Sequence, residues 1–523
     1  MTKESENKPR SIIESSSHFG STTLLSRISG FIRDILFANY FGANANTDAF
    51  FVAFKIPNFF RRLFAEGAFS QAFVPVLQEY KINKSDILVD FIQSVFGNLF
   101  IALFIITALG MYFSEELIYV FAPGFIENSI KYNLASQMLF NTFPYLLFIS
   151  LTAMCSGIFN SYNRFILSGL TPIVLNLSLI VFTIFASSLF VIPIISLSYG
   201  VFIAGVLQLL IQLPLMYKLG FLKLPKVNFN NTGSMKIIRL MVPAMIGTAA
   251  VQINLLIDTI VASLLITGSI SWLYFSDRLI ELPLAVFGIA ISIVILPVLS
   301  EHFQKGNSHQ YSDTLTKSIK LAFLIAMPSM LGLIALSGTI TSALYMYGSF
   351  SAMDVKMTML SLVTYSLGLP AFILIKILVT AFYSRQDTST PVIYSLVGIS
   401  INIISNLSVL YFYLENPFEG AHALIALATS LSAWIQVSLM SIKLKSLNII
   451  KDNIIFNILS LKVIVSSVIM FLLIFLYGNV TPFEDHSNAY ERTGTLLLNI
   501  TYGAIVFFIS LRIFGVKLNS YKI

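Results

Sequence analysis

The chain has 523 residues, of which 56% are hydrophobic and only 11% are charged. Soluble domains carry about 25% charged residues, and a mean hydropathy of +0.83 over the whole length exceeds what one anchor helix on a soluble body produces. The composition excludes the soluble classes and predicts an all-α integral membrane protein. The single cysteine, Cys155, excludes an internal disulfide.

Apolar runs of roughly 20 residues, the length that spans the hydrocarbon core of a bilayer, follow one another from end to end. They predict fourteen transmembrane helices, numbered 1 to 14 along the chain, at 16–40, 48–78, 87–112, 134–160, 166–190, 193–217, 236–264, 271–299, 316–338, 358–383, 390–413, 421–441, 458–477 and 494–514. The two longest, 48–78 and 271–299, are expected to tilt, bend or protrude from the bilayer.

The positions of Lys and Arg predict the orientation of these spans. If the N-terminus is cytoplasmic, most basic residues of the loops and ends fall on the cytoplasmic side, and the opposite loops hold only Lys131, Lys356 and Arg492. Positive charge is retained in the cytoplasm during insertion, so we expect both termini there. The net charge of +7 is then mostly a topology signal, and no nucleic acid is expected as a partner.

An internal repeat relates the two halves of the chain. Residues 68–79 (AFSQAFVPVLQE) match residues 290–301 (AISIVILPVLSE) at an offset of 222 residues, and each segment closes the second helix of a six-helix half. Six is an even number, so the halves insert in the same orientation. We therefore predict two pseudo-symmetric six-helix lobes, at 1–225 and 226–445, followed by two C-terminal helices at 446–523.

Charged side chains remain inside the predicted spans, most of them in helices 1 and 2. Each costs on the order of 2.5–3.5 kcal/mol at mid-bilayer unless it faces protein or water. A helical stripe in helix 2 contains Asp48, Lys55, Asn58, Arg62 and Glu66, with Arg61 beside it. Helix 1 adds Arg27, Arg33 and Asp34, and helix 8 adds Asp277, Arg278 and Glu281. The pattern predicts a water-filled cavity lined by helices 1, 2 and 8.

The excess of arginine in helices 1 and 2 indicates the chemistry of the ligand. A guanidinium fork matches the oxygens of a phosphate group in a bidentate way, so we expect an anionic, phosphorylated substrate group. The alternative is that these charges pair with one another and only fix the packing of the helices.

The sequence contains no G-x-x-x-x-G-K-[ST] loop, no H-E-x-x-H and no G-x-S-x-G. It therefore predicts a transporter rather than an enzyme, driven by an ion gradient, the membrane potential or consumption of the product. A candidate metal site consists of Asp258 in helix 7, Asn402 and Asn406 in helix 11, and Thr429 in helix 12. Carboxylate and amide oxygens suit Na⁺ as a coupling ion, and the alternative is hydrogen bonding between helices. No other cofactor is expected.

Four segments resemble the MurJ/MviN family of lipid II flippases: SRISGFIRD (26–34), GANANTDAFFVAFKIPNFFRRLFAEGAFSQAFVPVL (42–77), FSDRLIELPLAVFGIA (275–290), and the R-x-D-T-x-T-P element formed by Arg385, Asp387, Thr388, Thr390 and Pro391. The resemblance implies the fold of the multidrug/oligosaccharidyl-lipid/polysaccharide exporters and alternating access in the bacterial inner membrane. The implied substrate is lipid II, an undecaprenyl-diphosphate-linked disaccharide-peptide. Membrane lipids and cell-wall synthesis proteins are the other expected partners.

By position, the resemblance assigns the head-group cations to Arg27, Arg33, Arg61 and Arg278, with Asn58 as a hydrogen-bonding partner. The residues expected to orient these cations or to gate the cavity are Asp34, Asp48, Lys55, Arg62, Glu66, Asp277 and Glu281. Three alternatives stay open: an exporter of another undecaprenyl-linked glycan, a drug or cation antiporter of the same fold, and a scaffold in cell-wall assembly.

Overall fold

The computed structural model describes residues 12–450, 458–480 and 488–516, and this part of the chain contains twenty α-helices and no strand. The chain divides into two compact units. Unit 1 comprises Met1–Phe41 and Ala45–Ile253, and unit 2 comprises Gly42–Asn44 and Asn254–Ile523. The lobes at 1–225 and 226–445 and the C-terminal pair at 446–523 stay predictions.

Unit 1 is built from helices that follow the chain. They are α1 (Ile12–Phe41), α2 (Ala45–Arg61), α3 (Ser70–Asn83), α4 (Leu88–Tyr112), α5 (Ser114–Phe121), α6 (Ser129–Thr142), α7 (Tyr145–Ser161), α8 (Phe165–Val181), α9 (Ile195–Lys218) and the first part of α10 (Thr232–Ser263).

Unit 2 takes the remainder of α10 and the helices after it. These are α11 (Ser269–Pro283), α12 (Ala290–Gln304), α13 (Ser308–Ala335), α14 (Ser337–Tyr345), α15 (Ala352–Ser366), α16 (Leu369–Tyr383), α17 (Ser389–Glu415), α18 (Ala421–Ser446), α19 (Ile458–Val480) and α20 (Ala489–Ile513).

Length and apolar composition confirm a multi-span helical membrane protein. In the described part, 10 helical segments could cross a membrane, and the pair α15–α16, bent by 41°, makes 11. The predicted spans 16–40, 48–78 and 236–264 are helical but not among these. The first two carry the intramembrane charges, and the third includes side chains outside the described part. The count of fourteen stays a prediction.

The predicted helix 134–160 consists of two helices in the structure. Helix α6 ends at Thr142 and α7 begins at Tyr145. Pro144 lies in the break, where its ring and its missing N–H prevent a continuous helix. The two helices together still form one candidate span, Ser129–Ser161.

The second long helix of each unit contains the same interruption. In unit 1, α2 continues through a π-helical stretch, Arg62–Phe69, into α3, and in unit 2, α11 continues through Leu284–Ile289 into α12. The two π-helical stretches begin 222 residues apart, which is the offset of the sequence repeat. Since π-helix is rare and is often found at functional sites, its recurrence is a structural counterpart of the repeat. It also means that the α-helical spacing assumed for the stripe in helix 2 ends at Arg61.

Hydrogen bonds attach the segment 219–231, which leads into α10, to α4. Asn98 donates from Nδ2 to the carbonyl of Asn228 over 2.7 Å, and Asn228 donates its backbone N–H to Oδ1 of Asn98 over 2.9 Å. Gly97 allows the close approach, because a Cβ atom there would collide with the carbonyl oxygen of Lys226. These bonds hold the segment against α4, and Asn231 caps the start of α10 by accepting the backbone N–H groups of Gly233 and Ser234 at Oδ1.

Helices α19 and α20 belong to unit 2 and share an apolar core with α13. Phe323 and Met327 from α13 pack in one buried cluster with Met470 from α19 and Phe507 from α20. The C-terminal helices are therefore integral to the core of unit 2.

Candidate functional site

Arg33 and Asp34 form a buried charge cluster in unit 1. Arg33 donates to Oδ1 of Asp34 from Nε over 2.9 Å and from Nη2 over 2.7 Å, and from Nη1 to Oδ1 of Asn176 over 2.9 Å. Arg33 is 7% exposed and Asp34 is 2% exposed. Phe37, one turn further along α1, places its ring centroid 5.5 Å from the guanidinium carbon. The structure thus brings a predicted head-group cation together with a predicted charge partner.

Asn176 was not among the predicted site residues. Its Nδ2 atom donates to the carbonyl of Ser26 and to Oγ of Ser29, both over 3.0 Å, so it links α8 to α1 as well as to Arg33. The signal in the sequence was a lone amide within an apolar span, since such side chains usually bond across helices. The same rule underlies the predicted contacts of Asn402 and Asn406.

Asp48 in α2 pairs with Lys131 in α6. The distance from Nζ of Lys131 to Oδ2 of Asp48 is 2.9 Å, and both side chains are almost fully buried. The ammonium also lies 4.2 Å from the centroid of the Phe125 ring. The predicted spans leave Lys131 in a loop. That placement was wrong, because α6 begins at Ser129, with Asn128 accepting the backbone N–H of Lys131.

Asn58 and Arg61, both predicted to bind substrate, are bonded on α2. Arg61 donates from Nε to Oδ1 of Asn58 over 3.0 Å, and Asn58 donates from Nδ2 to the carbonyl of Phe54 over 3.0 Å. Both residues are half-buried, whereas Arg62, the first residue of the π-helical stretch, is exposed. The side chain of Glu66, predicted for the same stripe, lies outside the described part.

Pro57 interrupts the hydrogen bonds of α2 next to this pair. Proline has no N–H, so it cannot bond to the carbonyl of Ala53 four residues earlier. The buried hydroxyl of Thr142 on α6 donates to that carbonyl over 3.0 Å. A side chain of another helix thus provides the bond that the proline removes, as is needed where no water is present.

Arg278 in unit 2 is held by its own helix. Nη1 lies 2.6 Å from Oε2 of Glu281, one turn further along α11, and the guanidinium carbon lies 4.8 Å from the centroid of the Tyr274 ring. The side chains of Arg278 and Glu281 are 29% and 45% exposed. Asp277 beside them is half-buried. Arg278 is therefore oriented while it stays accessible.

The four residues of the predicted ion site lie together in unit 2. Asn406 donates from Nδ2 to Oδ1 of Asp258 over 2.7 Å and to Oδ1 of Asn402 over 2.6 Å. Asn402 donates to Oγ1 of Thr429 over 3.0 Å, and that hydroxyl lies 3.4 Å from Oδ2 of Asp258. Asn402 and Asn406 are fully buried.

This donor set fits a small hard cation. It combines one carboxylate with amide and hydroxyl oxygens, which are the ligand atoms of such ions. In the described part, Oδ1 of Asn406 is buried without a hydrogen-bond partner. A buried amide oxygen in that state is costly, and a cation would satisfy it.

Two further predicted cations of unit 1 are half-buried: Arg27, which follows Ser26 on α1, and Lys55 on α2. Their roles stay predictions.

Comparison with known proteins gives one family. The model of the family described as lipid II flippase MurJ matches residues 37–487. A curated relative from Buchnera aphidicola subsp. Schizaphis graminum (strain Sg), described as a probable lipid II flippase MurJ, is 39% identical over 513 residues, covering 98% of each chain.

Two solved structures have a similar fold. A lipid II flippase MurJ in an inward closed conformation aligns with a TM-score of 0.77 at 28% identity, covering 95% of this chain and 98% of that one. An inward-facing MATE family multidrug resistance transporter of the MOP superfamily aligns with a TM-score of 0.64 at 13% identity, covering 83% and 99%. The second likeness shows a shared fold alone. The family model and the curated relative settle the assignment: this chain belongs to the MurJ family of lipid II flippases.

Proposed function

We propose that this protein moves lipid II, the lipid-linked peptidoglycan precursor, from the cytoplasmic to the periplasmic leaflet of the bacterial inner membrane. The observation that carries the proposal is that a chain of the MurJ family holds an accessible arginine on the second long helix of each unit. Asn58 orients Arg61 in unit 1, and Glu281 orients Arg278 in unit 2.

The chemistry of the substrate explains why such arginines are needed. A diphosphate cannot enter hydrocarbon without a large desolvation penalty, whereas a polyprenyl tail remains in lipid throughout. Transport by alternating access provides a polar path for the head group alone. Arg27, Arg33, Arg61 and Arg278 act as head-group cations in this proposal. Asp34 keeps the guanidinium of Arg33 oriented between transport cycles, and Glu281 does the same for Arg278.

The proposal also specifies how many helices cross the membrane and on which side the two termini lie. Fourteen transmembrane helices with both termini in the cytoplasm place nearly all loop Lys and Arg on the cytoplasmic side. The spans of α1, α2–α3 and α10 complete this count. Cysteine substitutions at the exposed residues Lys356 and Lys305, labelled with a membrane-impermeant thiol reagent in intact cells and in inverted vesicles, test it. Labelling of both positions from the same side would contradict it.

We further propose that Na⁺ binds at Asp258, Asn402, Asn406 and Thr429 and couples to transport. The fully buried amides and the orphaned Oδ1 of Asn406 support it. Na⁺ should raise the midpoint temperature of unfolding of the purified wild type, and Asp258→Asn should abolish the rise. Asp313→Asn, which changes an exposed carboxylate on α13, is the matched control. An equal rise in all three proteins would refute the site.

The arginine on α11 provides a direct test of substrate binding. Arg278→Ala is expected to weaken lipid II binding by the full-length protein in nanodiscs about tenfold or more, since charge-assisted bonds to a diphosphate are lost. Arg278→Lys keeps the charge but loses the fork, so binding should fall less. The control is Lys305→Ala, which removes an exposed cation paired with Glu301. Binding by Arg278→Ala at the level of the wild type would contradict the assignment.

A further inference from the structure

We infer that Asn176 is a positioning residue that holds the guanidinium of Arg33 in one orientation for the diphosphate of the substrate. The inference rests on the proposed function. It concerns a side chain on α8 that touches Arg33 through one hydrogen bond and α1 through two others.

Hydrogen-bond acceptors hold the guanidinium group of Arg33 on two sides. Asp34 accepts from Nε and Nη2, and Asn176 accepts from Nη1. An unrestrained arginine has many rotamers, and ordering them costs free energy when a ligand binds. Because the guanidinium is planar, acceptors on two sides fix its plane as well as its position. Because these hydrogen bonds already order the side chain of Arg33, substrate binding costs less conformational entropy.

Only one of the two flip states of the Asn176 amide is compatible with its hydrogen-bond partners. Its Nδ2 atom faces two acceptors, the carbonyl of Ser26 and the hydroxyl of Ser29, and its Oδ1 atom faces Nη1 of Arg33. A flipped amide would set its oxygen against the Ser26 carbonyl and its N–H groups against the guanidinium N–H groups. Gly30 adds to the fit, because a Cβ atom there would lie 3.3 Å from Nδ2. Helix α1 therefore directs the acceptor of Asn176 at Arg33.

Unit 2 places an acid and amides on the corresponding helices. There an acid on α10, Asp258, meets amides on α17, and Nδ2 of Asn406 bonds Asp258 directly over 2.7 Å. In unit 1, the acid on α1 and the amide on α8 both bond the guanidinium of Arg33. Both units thus use an acid on their first helix and an amide on their fifth predicted span. The amide of unit 1 is arranged to serve a cation, which supports a positioning role for it.

A double-mutant cycle on lipid II affinity tests the inference. Asn176→Leu, similar in size and without the acceptor, should weaken binding by the full-length protein in nanodiscs about tenfold. In an Arg33→Lys background, where the fork is gone, the same change should alter binding less than about twofold. Ser178→Ala is the matched control: it breaks a buried bond from α8 to the carbonyl of Gly200 and does not touch Arg33. It should lower the midpoint temperature of unfolding and leave affinity unchanged.

Equal losses of affinity from Asn176→Leu in both backgrounds, or an equal loss from Ser178→Ala, would overturn the positioning role. If Asn176→Leu does not fold, Asn176→Ser replaces it in the same cycle with the same expectations. Failure of the wild type to bind lipid II would overturn the proposed function. Binding that is lost in Arg278→Ala and unchanged in Asn176→Leu would overturn the present inference alone.

Discussion

At the residue scale, the buried pair of Asp48 and Lys131 offers a direct test of how the charges inside the spans are tolerated. Removing one partner of a buried ion pair typically costs about 3–5 kcal/mol. Lys131→Met should therefore lower the stability of the purified protein strongly, measured as the midpoint temperature of unfolding in detergent. Asp48→Asn added to Lys131→Met should recover most of the loss, because the buried position then carries no charge.

An exposed pair on α13 provides the control for this cycle. Lys317 lies 2.9 Å from Asp313, with both side chains more than a third exposed, and such pairs contribute about 0–1 kcal/mol. Lys317→Met should leave the midpoint nearly unchanged. A Lys131→Met protein as stable as Lys317→Met would show that the buried pair does not matter to the fold.

Asp387, just outside the membrane-spanning part of α17, links stability to pH. Partial burial raises the pKa of Asp387, but hydrogen bonds from the backbone N–H and hydroxyl of Thr390 and from Ser389 outweigh it and leave the pKa below its ordinary value. A depressed folded pKa means that the stabilisation is present above the unfolded value of about 3.9 and is lost as pH falls through the folded value.

Asp387→Ala should cost about 0.5–2 kcal/mol at neutral pH, the usual effect of losing a cap at a helix start, and the cost should shrink as pH falls below about 4. Asp387→Asn keeps an acceptor and is expected to retain most of the stability without this pH dependence. Unfolding midpoints of the three proteins across pH 3–8 measure the effect. A constant difference between wild type and Asp387→Ala at every pH would contradict the assignment.

The sequence predicted those contacts of the candidate site in which polar residue type and helical spacing indicate the same neighbours. Asp258, Asn402, Asn406 and Thr429 were predicted together and lie together, because costly polar groups in apolar spans must find one another. The partners of Arg33 and Asp48 were not fully predictable. Asn176 and Lys131 are distant along the chain, and the choice between internal pairing and ligand binding depends on how helices face one another, which helical spacing does not encode.

At the element scale, the hydrogen bond by which Thr142 compensates for Pro57 can be tested. Thr142→Val removes the hydroxyl that bonds the carbonyl of Ala53 and should cost about 1–3 kcal/mol, because a buried acceptor loses its partner. In a Pro57→Ala background, the new N–H of residue 57 can bond that carbonyl within α2. Thr142→Val should then cost little, measured by unfolding midpoints of the four proteins. A cost that is equal in both backgrounds would exclude this role of the hydroxyl.

Apolar runs predicted where helices lie, and bending was expected in 48–78 and 271–299, but the change of helix type inside these two spans was not predicted. Apolar runs identify spans, but the π-helical stretches beginning at Arg62 and Leu284 leave no such mark, because an extra residue in one turn does not change hydropathy. The repeat at 68–79 and 290–301 indicated where the halves correspond without showing that a change of helix type recurs there. The recurrence places a locally widened helix next to Arg61 in unit 1 and a few residues beyond Arg278 in unit 2.

At the scale of the whole molecule, the charge distribution and the two-unit organisation support one function. The described part of the chain has helices and no strands, with at least ten apolar spans, and the chain belongs to a family of flippases. Each unit contains an arginine on its second long helix that a neighbour on the same helix orients, and an acid–amide cluster that involves its first helix. A scaffold in cell-wall assembly would need neither the accessible arginines nor the buried polar clusters, and a carrier of cationic drugs would not favour arginine.

The most direct measurement of the central claim is the amount of lipid II exposed on the outer leaflet of the inner membrane. We would deplete the protein in its native bacterium and restore it as wild type, Arg278→Ala or the control Lys305→Ala at matched membrane levels. The flippase account predicts that lipid II accumulates on the cytoplasmic side on depletion, and that wild type and Lys305→Ala restore its exposure whereas Arg278→Ala does not. Unchanged exposure on depletion, in cells without a second lipid II flippase, would contradict the account.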